Sequence, residues 1–325
     1  MLTKPKTNSR PRPLPGWLQS FYPFATQSLT IGANKMSYVD ERPSNTAPDS
    51  PVFVLLHGNP TWSFLYRDLI SKLRSKYRVI APDMIGFGLS DKPDDPGYHT
   101  LARHIQNLTV LIDTLDLQNV VMVLNGWGGP VGLGYAISFP ANIKHLVLAN
   151  TWAANLPPLQ HDARPLAMRL ADWGHCGRLL DSLLNISVPS LLSSRSGSAL
   201  SDQVLEAYGF PFARRTPRTA IMAFARMFFR PDPQTLSKMD EIQTGLRNVT
   251  APADILWGLR DPLLSKLPAY LLRDDLRNAR EPVWLPDVSH YVPEAAPEQL
   301  AETVLATVDQ KKGLKAGGAL FKILK

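Results

Sequence analysis

Four short stretches hold the residue types of acid–base and nucleophilic chemistry. They are His57-Gly-Asn-Pro-Thr-Trp62, Asn125-Gly-Trp-Gly-Gly129, Trp257-Gly-Leu-Arg-Asp-Pro262 and Asp287-Val-Ser-His-Tyr-Val-Pro-Glu294. In chain order they supply a glycine-rich turn, then an aspartate, then a histidine. A carboxylate that meets a histidine orients the imidazole and stabilises its charge, which makes an efficient general base. A tight glycine turn between a buried strand and a helix is a place from which an enzyme presents a nucleophile. Here that turn reads Gly126-Trp-Gly-Gly, so it offers no attacking side chain. Asn125 precedes it, but successive strand residues face opposite sides, and an amide is a poor nucleophile. No G-x-S-x-G stretch occurs elsewhere in the chain, so no serine has taken the place.

The elements that must bring these stretches together are legible as a rhythm of short apolar runs and longer helical patterns. The β-like runs fall at about 24–31, 35–41, 52–57, 78–82, 120–124, 143–150, 254–257 and 283–285, with helical patterns at 62–76, 100–117, 127–138 and 297–310. Such alternation predicts an α/β fold with a mostly parallel eight-stranded sheet flanked by helices. The first two runs flank Gly32-Ala-Asn and predict a hairpin, hence an antiparallel edge. In the second helical pattern Leu101, Ile105, Leu108, Ile112 and Leu115 share one stripe. The four chemical stretches follow the third, fifth, seventh and eighth runs. They therefore sit at the carboxyl ends of strands, where open α/β sheets bind ligands.

The rhythm stops after Thr151 and resumes at Ala253. Between them, helices at about 166–184, 201–208, 218–229 and 235–248 are joined by proline-rich turns, with no convincing strand. An insertion at that point predicts a helical cap over the crevice. The expected organisation is a basic, proline-rich tail at 1–20, an α/β core at 21–151 and 251–311, a helical cap at 152–250, and a second basic tail at 312–325.

The formal charge of +7 over 325 residues suggests a nucleic-acid or membrane ligand until it is located. Lys4, Lys6, Arg10, Arg12, Lys311, Lys312, Lys315, Lys322 and Lys325, nine of the 35 basic residues, lie in residues 1–13 and 311–325, which hold no acid. The body keeps 26 basic against 28 acidic residues, so no nucleic-acid partner is expected. The last stretch, GLKAGGALFKILK, has the makings of an amphipathic cationic segment for weak contacts with lipid or a pathway partner, with a frayed terminus as the plainer reading. The single cysteine, Cys176, cannot form an internal disulfide and lacks companions at metal-ligand spacing. With no signal-peptide core or spanning segment, a cytoplasmic protein without metal or cofactor is expected.

HGNPTWSFLYR, PDMIGFGLSDKP, WGGPVGLG, WGLRDP and SHYVPE together resemble the haloalkane dehalogenase family of α/β-hydrolases, including the related β-lactone decarboxylases of bacterial olefin biosynthesis. The resemblance runs from about Tyr38 to Thr307 and is weakest in the insertion. It implies an aspartate in the turn that attacks the substrate carbon, and a histidine-activated water that hydrolyses the resulting ester. The family turn reads Asp-Trp-Gly-Gly; this chain has Gly126 in the nucleophile place. By the same resemblance His290 is the base and Asp261 its orienting acid. Asn59 and Trp127 are the pair of side-chain N–H donors for a halide or oxyanion. His57 reads as structural, and Pro60 as following a cis peptide. Apolar walls fall to Trp152, Trp173, Phe210, Phe212, Phe224, Met227 and Phe228.

These features imply a small apolar organic substrate, a halogenated alkane or β-lactone, with turnover impaired by Gly126. Two rival readings stay open: a non-catalytic binding protein, and a hydrolase in which His290 activates water directly. Epoxide hydrolases use cap tyrosines, but nothing selects a pair such as Tyr208 and Tyr270. A Rossmann enzyme is excluded, since the glycine turn follows the fifth strand and lacks the dinucleotide spacing.

Overall fold

The structure, a computed structural model, describes residues 7–8, 14–45, 49–156, 188, 192, 200–212 and 216–308. Its centre is one nine-stranded sheet in the order β1-β2-β3-β5-β4-β6-β7-β8-β9. The strands are β1 (Thr7–Asn8), β2 (Thr26–Ile31), β3 (Asn34–Glu41), β4 (Val52–Leu56), β5 (Arg78–Pro82), β6 (Val120–Gly126), β7 (Ile143–Thr151), β8 (Ala253–Gly258) and β9 (Val283–Leu285). The six from β4 to β9 run parallel, while β3 pairs antiparallel with β5, β2 with β3, and β1 with β2. All eight expected strands are present, and the two-residue β1 is added within the stretch read as a tail. The sequences VFVLL of β4 and VVMVL of β6 are wholly buried, as strands covered on both faces must be.

The helices are α1 (Gly16–Phe21), α2 (Arg67–Leu73), α3 (Leu101–Thr114), α4 (Gly128–Ser138), α5 (Asp202–Gly209), α6 (Thr219–Phe229), α7 (Pro233–Gly245), α8 (Leu267–Asp275), α9 (Val292–Ala295) and α10 (Pro297–Ala306). The predicted helix at 62–76 is split, with a 3-10 turn at Ser63–Tyr66 before α2. In α3 the Thr100 hydroxyl caps Arg103 N–H, and Leu101, Leu108, Leu111 and Ile112 are buried. The short α1 and α8 were not visible as apolar periodicity: α1 buries only Leu18, and α8 only Pro268, Ala269 and Leu272.

Helix α4 lies so close to the sheet that side chains are excluded. A Cβ on Gly128 would collide with Leu56 O, and one on Gly129 with Thr151 Oγ1. This tight seat places the amino end of α4 directly behind the carboxyl end of β6. Between β7 and β8 the described part of the insertion contains α5, α6 and α7 and no strand. Ser201 and Asp232 cap α5 and α7 through Val204 N–H and Thr235 N–H. The helix expected at 166–184 lies outside the described residues. No described helix is long and apolar enough to cross a membrane.

Candidate active site

At the end of β6 the pairing with β7 slips by one residue between Asn125 and Gly126, and Gly126 takes φ +54°. This is the left-handed conformation that L side chains rarely adopt. Thr151 Oγ1 donates to Gly126 O at 2.6 Å and holds the kinked strand end to β7. A Cβ built on Gly126 would stand 3.2 Å from His290 Nε2 and 3.5 Å from Gly58 Cα. The turn therefore aims its missing side chain at the imidazole.

His290 follows β9 and is 3% exposed. Its Nδ1 lies 2.7 Å from Asp261 Oδ2. The carboxylate can only accept, so Nδ1 carries the proton, and in the neutral ring Nε2 presents its lone pair toward position 126. Asp261, in the loop after β8, accepts three further bonds: from Leu263 N–H at 2.8 Å, Leu264 N–H at 3.2 Å and Asn150 Nδ2 at 2.8 Å. Burial pushes its carboxyl upward. The His290 charge, the His290 bond, the Leu263 N–H and the Asn150 amide outweigh that and hold it below the usual carboxylate value. The result is an anionic acid gripping a histidine from behind, the arrangement required of a general base.

A narrow cavity of about 20 Å³ opens in front, lined by Asn59, Gly126, Trp127, Trp152, Ala225, Phe228, Phe229, Leu263, Leu264 and His290. Among these described residues the polar side chains are the Asn59 amide, the indoles of Trp127 and Trp152 and the His290 imidazole, and the others are glycine or apolar. Asn59 precedes a cis peptide to Pro60. Its Nδ2 donates to Ile221 O of α6 at 3.0 Å, which leaves at most one of its two amide protons for the cavity. The Trp127 ring is held edge-on by Trp152 and Phe224, with centroids 5.0 and 5.1 Å away. Of the walls expected from the insertion and its flanks, Trp152 and Phe228 line this cavity. Phe224 braces Trp127 from outside the lining, and Met227 faces a separate groove beside His99. Phe210 packs on Trp17, Phe212 is buried under Lys92, and Trp173 lies outside the described residues.

His57 is fully buried, bonding Gly58 O through Nδ1 at 2.8 Å and accepting Met84 N–H at Nε2 at 3.0 Å. Accepting at Nε2 fixes the Nδ1–H tautomer. Burial lowers its pKa to about 4, with the Gly58 carbonyl pulling weakly the other way. The ring ties β4 to the loop after β5 and does not line the cavity.

The model of the alpha/beta hydrolase fold family matches residues 51–295, three-quarters of the chain. The chain belongs to the α/β-hydrolase family. Among its relatives is the cis-3-alkyl-4-alkyloxetan-2-one decarboxylase of Shewanella oneidensis, 34% identical over 292 residues that cover 87% of this chain and 88% of that one. A haloalkane dehalogenase of Mycolicibacterium paratuberculosis is 30% identical over 292 residues, 88% of this chain and 93% of the relative. The solved haloalkane dehalogenase of Paraglaciecola agarilytica superposes with a TM-score of 0.74 at 26% identity, over 91% of this chain and 98% of that one.

In this α/β-hydrolase several supporting residues were not singled out from sequence. Asn125 does face away from the cavity, and its Nδ2 donates to Ala149 O at 2.8 Å and His290 O at 2.9 Å, tethering the histidine loop to β6 and β7. Asn150 bridges β7 to β8 by accepting Gly258 N–H at 2.7 Å while donating to Gly258 O at 3.1 Å and to Asp261. Arg67 clamps Glu294 through two bonds of 2.7 and 2.6 Å, and Tyr208 of the insertion donates to the same carboxylate at 2.5 Å. Tyr208 thus points to Glu294, and Tyr270, 39% exposed, meets the Trp284 ring edge-on with centroids 5.4 Å apart. Neither lines the cavity. The signal for Arg67 and Glu294 was present in the motifs SFLYR and HYVPE, but nothing in one sequence joins residues 227 positions apart.

Proposed function

We propose that the protein is a hydrolase of the haloalkane dehalogenase and β-lactone decarboxylase type whose covalent step is disabled at Gly126. The observation that carries this reading is the 3.2 Å approach of a Cβ at position 126 to His290 Nε2, with His290 Nδ1 on Asp261 behind it. A carboxylate borne on that Cβ would face the cavity and attack a carbon held there. Trp127 and Asn59 would receive the departing anion. His290 would then take a proton from water, whose oxygen opens the ester, while Asp261 holds the imidazolium. The apolar walls suit a small organic substrate, a halogenated alkane or a β-lactone, and the insertion acts as the cap over it. Its single cysteine suits a reducing cytoplasm.

The test is product release, bromide from short bromoalkanes and carbon dioxide from a β-lactone, by the chain as it stands and by Gly126→Asp. Turnover by the aspartate variant alone is the expected result, and the preferred substrate names the branch. A folded Gly126→Asp protein inert on both would overturn the reading. A second reading has one observation in its favour: the cavity beside His290 has room for about one water. In that reading His290 deprotonates this water for direct attack on an activated ester or lactone. Turnover by the glycine form that survives both Asp261→Asn and His290→Ala would sink it.

A further inference from the structure

We propose that Phe228 and Phe229, the last two residues of α6, are the gate through which a substrate reaches His290, and so set the size of what enters. This deepens the reading of the cavity as the reaction site and rests on it. At about 20 Å³ the cavity has room for about one water, which is too little for an alkyl halide or a lactone, so part of its wall must move. Of the described residues that line it, only Phe228 and Phe229 are partly exposed, and the others are buried. The way in from solvent therefore passes these two rings. Phe229 meets Phe228 edge-on with centroids 5.0 Å apart, Phe228 meets Trp152 at 4.9 Å, and Trp152 meets Trp127 at 5.0 Å. The rings form an unbroken path from the surface to the residue beside position 126.

The two ends of α6 are held differently. At its amino end Thr219 bonds the Asp94 carboxylate, and Ile221 O accepts from Asn59 Nδ2 at 3.0 Å. Phe224 packs edge-on against Phe87, His104 and Trp127, with centroids 5.1, 4.6 and 5.1 Å away. At the carboxyl end Arg230 N–H closes the helix on Arg226 O at 2.8 Å, and Pro231 has no N–H to continue the ladder. The gate residues sit in this last turn, and their side chains have no polar atom through which a hydrogen bond could fasten them. Rotating the two rings or fraying the turn opens the cavity while Asn59 and Trp127 keep their places.

The experiment treats the unaltered protein with diethyl pyrocarbonate, an uncharged reagent that acylates an imidazole nitrogen through its lone pair, and follows each histidine by peptide mass spectrometry. The reagent is far larger than one water, so it reaches His290 Nε2 only when the gate is open. Phe228→Ala and Phe229→Ala are expected to speed acylation of His290 by about tenfold or more, and Phe228→Leu by less. His57 and His104, buried in the core, should react no faster than in the parent. Met227→Ala truncates the same turn on the face toward the groove beside His99, and should leave the rate at His290 unchanged.

Parent-like rates at His290 in both alanine variants, or an equal acceleration by Met227→Ala, would overturn the gate. Should the alanine variants unfold, shown by faster acylation of His57, Phe228→Leu decides, and a rate at His290 no higher than the parent's overturns it. The readout is acylation and not turnover, so the two ideas fail separately. A failed gate beside an active Gly126→Asp removes only this inference, whereas Gly126→Asp inert on bromoalkanes and β-lactone removes the functional reading that gives the gate its substrate.

Discussion

A Cβ on Gly126 would lie 3.2 Å from His290 Nε2, so the kinked end of β6 points its absent side chain at the imidazole that follows β9. The contact is tight enough that the imidazole must give by a few tenths of an ångström when a side chain is added. Gly126 at φ +54° also removes the strain a larger residue would store there.

Gly126→Asp is therefore expected to lose stability while gaining turnover. The left-handed backbone should cost about 1–2 kcal/mol. Chemical denaturation of the two proteins side by side measures this, and an aspartate variant more stable than the glycine form would contradict the assignment of strain.

Asp261→Asn in the Gly126→Asp background should lower turnover by about 10³–10⁴ while substrate binding changes little, because the amide no longer fixes the imidazole tautomer. Asp261 also links stability to pH. Its folded pKa lies below the unfolded value, so its contribution is present above about pH 4 and is lost as pH falls through the folded value. Acid unfolding should accordingly be shallower in Asp261→Asn than in its parent; equal curves would contradict this.

His57 works in the other pH range. Its folded pKa of about 4 against 6.5 unfolded means that the unfolded chain binds the proton first as pH falls. Stability should drop by about 2 kcal/mol between pH 7 and pH 5 from this residue alone. His57→Gln, measured by denaturation at both pH values, should show a loss smaller by that amount, whatever its absolute stability.

The Arg67–Glu294 pair is largely removed from water, with side chains 13% and 9% exposed. Glu294→Gln leaves the guanidinium with the half-exposed Asp68, 4.0 Å away, as its remaining counter-charge and should cost about 3 kcal/mol. Tyr208→Phe removes one hydrogen bond to the same carboxylate and should cost about 1 kcal/mol. Equal losses in the two variants would argue against a charge-dominated clamp.

The strands and most helices were legible because burial imposes period on sequence: continuous apolar runs for β4 and β6, a 3.6-residue stripe for α3. Helices α1 and α8 were missed because each buries too few residues to leave a stripe. The candidate site was legible as motifs at strand ends, and the direction of Asn125 followed from strand alternation. Its partners did not follow, because a hydrogen bond between Asn59 and Ile221 spans 162 positions and involves a backbone carbonyl that any residue would offer. The clamp of Arg67, Glu294 and Tyr208 was hidden for the same reason.

Residue type and period alone carry the strands with the chemical stretches at their ends, the acid and base candidates, and the glycine at position 126. Only the tertiary structure decided that position 126 faces His290 Nε2, that Asn150 shares Asp261 with the histidine, and that Asn59 spends an amide proton on α6. Distances between atoms far apart in the chain are set by how the layers pack, and packing is decided jointly by the whole chain.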